Sequence, residues 1–229
     1  MTKTLIVHHH LGLGDHICLN GIVWYLANNG NYKKVYLYCK QKNHDNIKQL
    51  YENTIVELVP VPDGMNELFF VDNDVSTKKN ANANIDFVRI GFCYISSDIP
   101  CDVQFYKIAG VPYSERFEGF RLQRNFSEEQ RLYEKLNPTG EDYIFVHDDP
   151  LRGFNINLAN DQNLKVIRND PSENIFHYGL LIERAKQFHC IESCLRCFCE
   201  HLDTDGVELF YHNTVRPNPL STRKTWTWV

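Results

Sequence analysis

From Leu5 to Ala27 the chain reads LIVHHHLGLGDHICLNGIVWYLA: a short apolar run, a turn carrying Gly12 and Gly14, then apolar residues at helical spacing. That order predicts strand, glycine turn and helix, the seed of a parallel α/β sheet. Two glycines let the backbone pass close to a ligand, and the free amides of the new helix aim at the same place. Asp15 stands where that helix begins, and a helix N-terminus favours a carboxylate in its charged form. Two roles are open to it, a base at the mouth of a cleft or a plain helix-start residue.

The alternation continues. KVYLYCK predicts a second strand, HDNIKQLYEN a short helix, and TIVELVPVP a third strand stopped by prolines. ELFFVDND and DFVRIGFCYI read as further strands with a polar loop, VSTKKNANAN, between them. VQFYKIAGVP reads as a helix with a glycine stop. FSEEQRLYEKLNPTGED follows, where Ser127 with Glu128, Glu129 and Gln130 resembles a capping box. A domain boundary is expected here, giving residues 1–125 and 126–229. The pattern then restarts. DYIFVHDD and NLKVIRND are strands, NIFHYGLLIERAKQF a helix, HCI a short strand, ESCLRCFCEHLD a helix and VELFYHN a last strand. The Pro-rich basic tail ends in Trp226 and Trp228, expected to pack back on the body. The fold class expected is α/β, two Rossmann-like halves facing a cleft at the carboxyl ends of their strands. The halves share organisation but no sequence repeat.

Composition narrows the function classes. With 229 residues, 43% hydrophobic and 23% charged, the chain has the make-up of a globular protein with a sizeable core. Net charge is −5 with no basic stripe, which argues against nucleic acid as the partner. No apolar run approaches the ~20 residues of a membrane helix, and the N-terminus does not read as a signal peptide. A cytoplasmic protein with no transmembrane segment is therefore expected. In that setting the eight cysteines are expected to be free, mostly buried thiols. Cys194 and Cys197 have CxxC spacing, but they fall with Cys190 and Cys199 in one short helical segment rather than in two separated ligand pairs. His8, His9 and His10 continue the first strand, either as packing residues or as ligand contacts.

Three segments carry a family resemblance. GLGDHICLNGIVWYLA, from Gly12, resembles the N-terminal turn and helix of the heptosyltransferase-like proteins of the glycosyltransferase-B superfamily. YIFVHDDPLRGFNI, from Tyr143, is similar to the first strand and turn of their donor domain. LIERAKQFHCIESCLRCFCEHL, from Leu181, is similar to the donor-domain helix, strand and helix that carry an acidic residue and a Ser or Thr. The resemblance implies a glycosyltransferase-B-like fold and transfer of a sugar from a nucleotide-diphosphate sugar to a hydroxyl of a glycan or other acceptor. It also implies an aspartate base at Asp15 and no cofactor beyond the donor substrate. The chain departs from the pattern in being short, in Glu192 where aspartate is commoner, in Cys194 where a small residue is common, and in lacking the usual lysine, for which Arg152 is the substitute.

The chemistry needs a base for the acceptor hydroxyl and positive charge or oriented amides for the departing diphosphate. Asp15 suits the first role. For the second, Gly14, His147, Arg152, Glu192, Ser193 and Cys194 are the donor-side candidates. The fork of Arg152 suits phosphate oxygens unless it pairs with Asp148 or Asp149. Ser193 either opens an anion site with Cys194 or merely caps a helix. Glu192 is expected to meet ribose or sugar hydroxyls, and His147 to contact a substrate or pack at a strand end. Asp72 and Asp74 form a DxD, an alternative metal-dependent reading with Mg²⁺ or Mn²⁺. A non-catalytic sugar-nucleotide or glycan-binding module is a further alternative. A dinucleotide enzyme fits less well, because Ile17 stands where a third glycine belongs and Tyr36 to Cys39 carry no acid.

Overall fold

The computed structural model describes residues 3–93, 95–158, 164–215 and 220–229. The chain divides into two compact units, Met1–Gln123 and Arg124–Val229. The first contains β1 (Thr4–His8), α1 (Leu13–Cys18), α2 (Asn20–Asn29), β2 (Lys34–Lys40), α3 (His44–Tyr51), β3 (Val56–Val61), α4 (Glu67–Ala81), β4 (Ile85–Arg89), α5 (Cys101–Ala109) and α6 (Glu115–Glu118). Its sheet is parallel, in the order β3-β2-β1-β4, with Ile6 opposite both Tyr36 and Phe87. All five residues of β1 are buried, as a central strand covered by helices on both faces must be.

The segment expected as a strand and polar loop, ELFFVDND with VSTKKNA, is one helix, α4. The Asn66 side chain caps it by accepting from the Phe69 amide at 3.0 Å. Val71 and Val75 lie one turn apart and, with Phe70, pack on Ile6, Leu11, Tyr38 and Val61. A short apolar run is ambiguous between strand and helix; the cap and this i, i+4 pair decide it. The first predicted helix is broken at Leu19 into α1 and α2. β4 stops at Arg89, and Gly91 turns the chain at φ +90° with its open side against the His10 ring.

The second unit contains α7 (Phe126–Leu136), β5 (Tyr143–His147), β6 (Lys165–Arg168), α8 (Gly179–Glu183), β7 (Gln187–Ile191), α9 (Cys194–Cys199), β8 (Glu208–His212) and β9 (Thr227–Trp228). Its sheet is parallel, in the order β6-β5-β7-β8-β9. Asn125, not Ser127, caps α7. The predicted helix NIFHYGLLIERAKQF is cut short: a 3-10 turn at Ile175–Tyr178 leads into α8, and Gln187 already begins β7. Pairing of β7 with both β5 and β8 overrides local helix preference there. The core stacks Tyr178, Phe145 and Phe188, with centroids 5.4 Å apart in each pair.

The tail supplies the edge strand β9. Trp226 is buried and donates its indole N–H to Glu200 Oε1 at 2.8 Å. Trp228 stays exposed, with its ring 4.8 Å from Tyr211. The prolines of the tail, Pro217 and Pro219, lie outside the described residues. The cysteines are free thiols, and Cys93 is exposed rather than buried. Among the described residues no helix is long and apolar enough to cross a membrane.

Candidate active site

In the first unit, the carboxyl ends of the strands border a pocket of about 500 Å³ walled by Asp15, Glu67, Lys40, His10 and Phe92. A second pocket of about 410 Å³ shares Leu11, Lys40 and Glu67 with it and adds Lys42, Asp63 and Met65. Asp15 lies in the first turn of α1, half-buried. Its carboxylate folds back over Gly12 so closely that a Cβ at that position would collide with Oδ2. Gly12 is therefore required by the placement of Asp15. Gly14 lies inside α1 and is half-buried.

The three histidines split their roles. His10 faces the pocket, while His8 and His9 are fully buried. His8 lies between Glu67 Oε1, 3.1 Å from Nε2, and the Arg89 Nε–H, 3.0 Å from Nδ1. Burial and the neighbouring Arg89 push its pKa down to about 3. His9 Nδ1 meets the His10 carbonyl at 2.6 Å, and its ring stands 4.5 Å from that of buried His16. Burial holds His9 at about 4 and His16 well below the usual histidine value.

Apart from Gly14, which belongs to the first unit, the donor-side candidates lie in the second. His147 ends β5, and burial lowers its pKa to about 4. Arg152 follows in a 3-10 turn, capped by Asp149, and its Nε donates to Asp149 Oδ2 at 2.5 Å. The surface pairing that the sequence left open is thus formed, although the Arg152 side chain remains 61% exposed. Its positive charge lowers the pKa values of both His147 and Cys194, so the ends of β5 and β7 share one electrostatic neighbourhood. Ser193 caps α9 by accepting from the Arg196 amide at 3.4 Å. Burial pushes the Cys194 thiol up to about 12.

Glu192 is held by protein partners. It is buried and turned inward, accepting from Arg196 at 2.9 Å and from the Tyr211 hydroxyl at 3.0 Å. An unpaired carboxylate there would be costly, and Arg196 pairs with it. The DxD also changes character. Asp72 and Asp74 lie on α4, about 200° apart around the axis. Asp72 pairs with Arg89, and Asp74 accepts from the Tyr38 hydroxyl at 2.6 Å and pairs with Lys78. Among the described residues no three His, Cys, Asp or Glu side chains converge, the cysteine cluster included.

Glu67, Lys40 and Phe92 were not foreseen as pocket residues. The signal for Glu67 was present in Asn66, a helix cap standing immediately before the segment read as a strand.

No family model and no curated protein matches the sequence. Solved structures do match the fold. A glycosyl transferase of family 9 from Veillonella parvula DSM 2008 superposes with a TM-score of 0.64 at 10% identity, over 99% of this chain and 86% of that one. The ADP-heptose LPS heptosyltransferase II of E. coli superposes at 0.55 and 10% identity, over 100% of this chain and 90% of that one. The chain therefore has the glycosyltransferase-B-like fold and spans most of both neighbours.

Proposed function

We propose that the chain transfers a sugar from a nucleotide-diphosphate sugar to an acceptor hydroxyl, with Asp15 as general base. The observation that carries this reading is the Asp15 carboxylate at the wall of a strand-end pocket, in a fold shared with two glycosyltransferases. Asp15 takes the proton of the acceptor hydroxyl as that oxygen bonds to the sugar's anomeric carbon. The bond from that carbon to the diphosphate breaks, and the nucleotide diphosphate leaves with the electron pair. On the donor side, Arg152 exchanges its exposed pairing with Asp149 for phosphate oxygens, a small cost for a surface ion pair. The charge of Arg152 reaches His147 and Cys194, Ser193 caps the helix that Cys194 begins, and Gly14 precedes Asp15 in the first turn of α1. Asp72 and Asp74 are spent on Arg89, Tyr38 and Lys78, so the reading draws no metal from that pair.

A thermal-shift series with UDP-, GDP- and ADP-sugars tests the donor. A sugar nucleotide at 100 times its dissociation constant stabilises the fold by about 2.7 kcal/mol. Asp15→Asn is expected to lower transfer about 10²–10⁴-fold while leaving that shift in place. No shift with any sugar nucleotide, or full turnover by the variant, overturns the reading. Loss of binding and transfer in excess EDTA would favour the Asp72 and Asp74 alternative.

A further inference from the structure

Glu67 shares the Asp15 pocket, and the hydrogen bonds behind it run in one direction. The Arg89 Nε–H has no lone pair, so its 3.0 Å contact makes His8 Nδ1 the acceptor. The neutral His8 ring then carries its hydrogen on Nε2 and donates it to Glu67 Oε1 at 3.1 Å. Arg89 is itself held by Asp72. His8 is fully buried, so its ring has no room to flip this polarity without breaking both contacts. Asp72, Arg89 and His8 thus hold the Glu67 carboxylate against the pocket at 29% exposure. One hydrogen bond uses one of about four lone-pair sites on a carboxylate, and the rest are available to a ligand.

Resting on the glycosyl-transfer reading, we propose that Glu67 is the second carboxylate of the acceptor site. It accepts a hydrogen bond from the hydroxyl adjacent to the one Asp15 deprotonates, and the acceptor's reacting unit is a neutral pyranose. Two carboxylates are acceptors only and call for donors, which vicinal hydroxyls supply and which a carboxylate or phosphate on that ring edge would not. Phe92, 39% exposed, gives the pocket the flat apolar wall that the C–H face of a sugar ring covers. Lys40 lines the same pocket and supplies a donor to a ring oxygen or hydroxyl. Burial raises the Glu67 carboxyl pKa while Lys40, His10 and Arg89 pull it back.

The test is saturation-transfer NMR of the full chain with methyl glucopyranoside, galactopyranoside and mannopyranoside. At least one binds the wild-type chain, and Glu67→Gln weakens it about 10- to 100-fold, the size of one hydrogen bond to a charged group. Glu67→Asp, one methylene shorter, falls between. Deoxy glycosides on the wild-type chain give the same answer without a variant: removing the hydroxyl next to the reacting one weakens binding as much. Wild-type binding to none of the three, unchanged binding by Glu67→Gln, or an unaffected deoxy series overturns the proposal. The sugar-nucleotide thermal shift, run on the same samples, reads the transferase hypothesis separately. Donor binding with Glu67 inert sinks only the acceptor assignment, and sugar binding lost on Glu67→Gln with no donor shift sinks only the transferase.

Discussion

At the carboxyl ends of its strands the first unit holds Asp15 and Glu67 at the wall of an open pocket, whereas the second holds Asp148 and Glu192 inside the protein. The sheets are built alike, parallel and covered by helices, so the fold does not force the difference. It lies in what stands behind each acid. Behind Glu67 is a neutral histidine, which orients the carboxylate without cancelling its charge. Behind Glu192 is Arg196, and behind Asp148 is Arg168, each of which cancels it. An acid backed by a neutral donor stays available for ligand chemistry. An acid backed by a cation holds the strand end together.

The largest test of that contrast is Arg196→Met. Removing one partner of a buried pair leaves the other charge unpaired and costs about 3–5 kcal/mol. Among the described residues, the partner then left to Glu192 is the Tyr211 hydroxyl. Hydrogen exchange of the β7 and β8 amides reads the loss in this unit alone. A cost under ~1 kcal/mol would mean that Glu192 turns outward readily, which would restore it as a candidate contact to donor hydroxyls.

Strand-rich segments were legible where pattern and burial agree. TLIV, VYLYC and YIFV sit in sheet interiors, and their apolar runs say so. The reading failed where a short run could serve either element. ELFFV became a helix because Asn66 caps it and Val71 and Val75 face one core. AKQF left a helix because β5 and β8 offered a slot between them, information that is not local. Of the pocket residues, Asp15 was readable as a helix-start carboxylate from its glycine turn. Glu67 was hidden behind the misread helix start, and the inward turn of Glu192 depends on Arg196 and Tyr211, the latter 19 residues away.

Next in size is acid sensitivity in the first unit. His16 is fully buried, and burial holds its pKa well below the 6.5 of an ordinary histidine. Below pH 6.5 the unfolded chain therefore binds a proton that the native state refuses. Stability falls as pH drops from there toward the native value, by about 1.4 kcal/mol per pH unit for one such group. His16→Leu, close in volume, removes one group's share of that slope. Urea midpoints at pH 7, 6 and 5, read through the β1 amides, should converge on a shallower line in the variant. An unchanged slope would show that His16 is protonated in the fold.

Gly12→Ala separates stability from chemistry at Asp15. Gly12 has φ −67° and ψ 145°, which alanine adopts without strain. The obstacle is the Asp15 carboxylate, a side-chain end that rotates away. Stability should change by no more than about 1 kcal/mol, while transfer falls about tenfold or more as the base is displaced. Equal transfer by the variant would mean that the folded-back position of Asp15 is not the working one.

The smallest effect expected is at the outer end of the hydrogen-bonded chain behind Glu67. Asp72 is 59% exposed, and its pair with Arg89 lies at the surface. Exposed ion pairs contribute about 0–1 kcal/mol, so Asp72→Asn should shift the urea midpoint within that range. The amide oxygen of asparagine still accepts from Arg89, so His8 keeps its tautomer and Glu67 its orientation. Donor binding, glycoside binding and transfer should stay within about twofold of the wild type. A metal held between Asp72 and Asp74 predicts the opposite, because losing one carboxylate would take donor binding and transfer with it, and added Mg²⁺ or Mn²⁺ would partly restore both. The same substitution therefore sets a neutral orienting chain against a metal site on two residues that α4 turns to different faces.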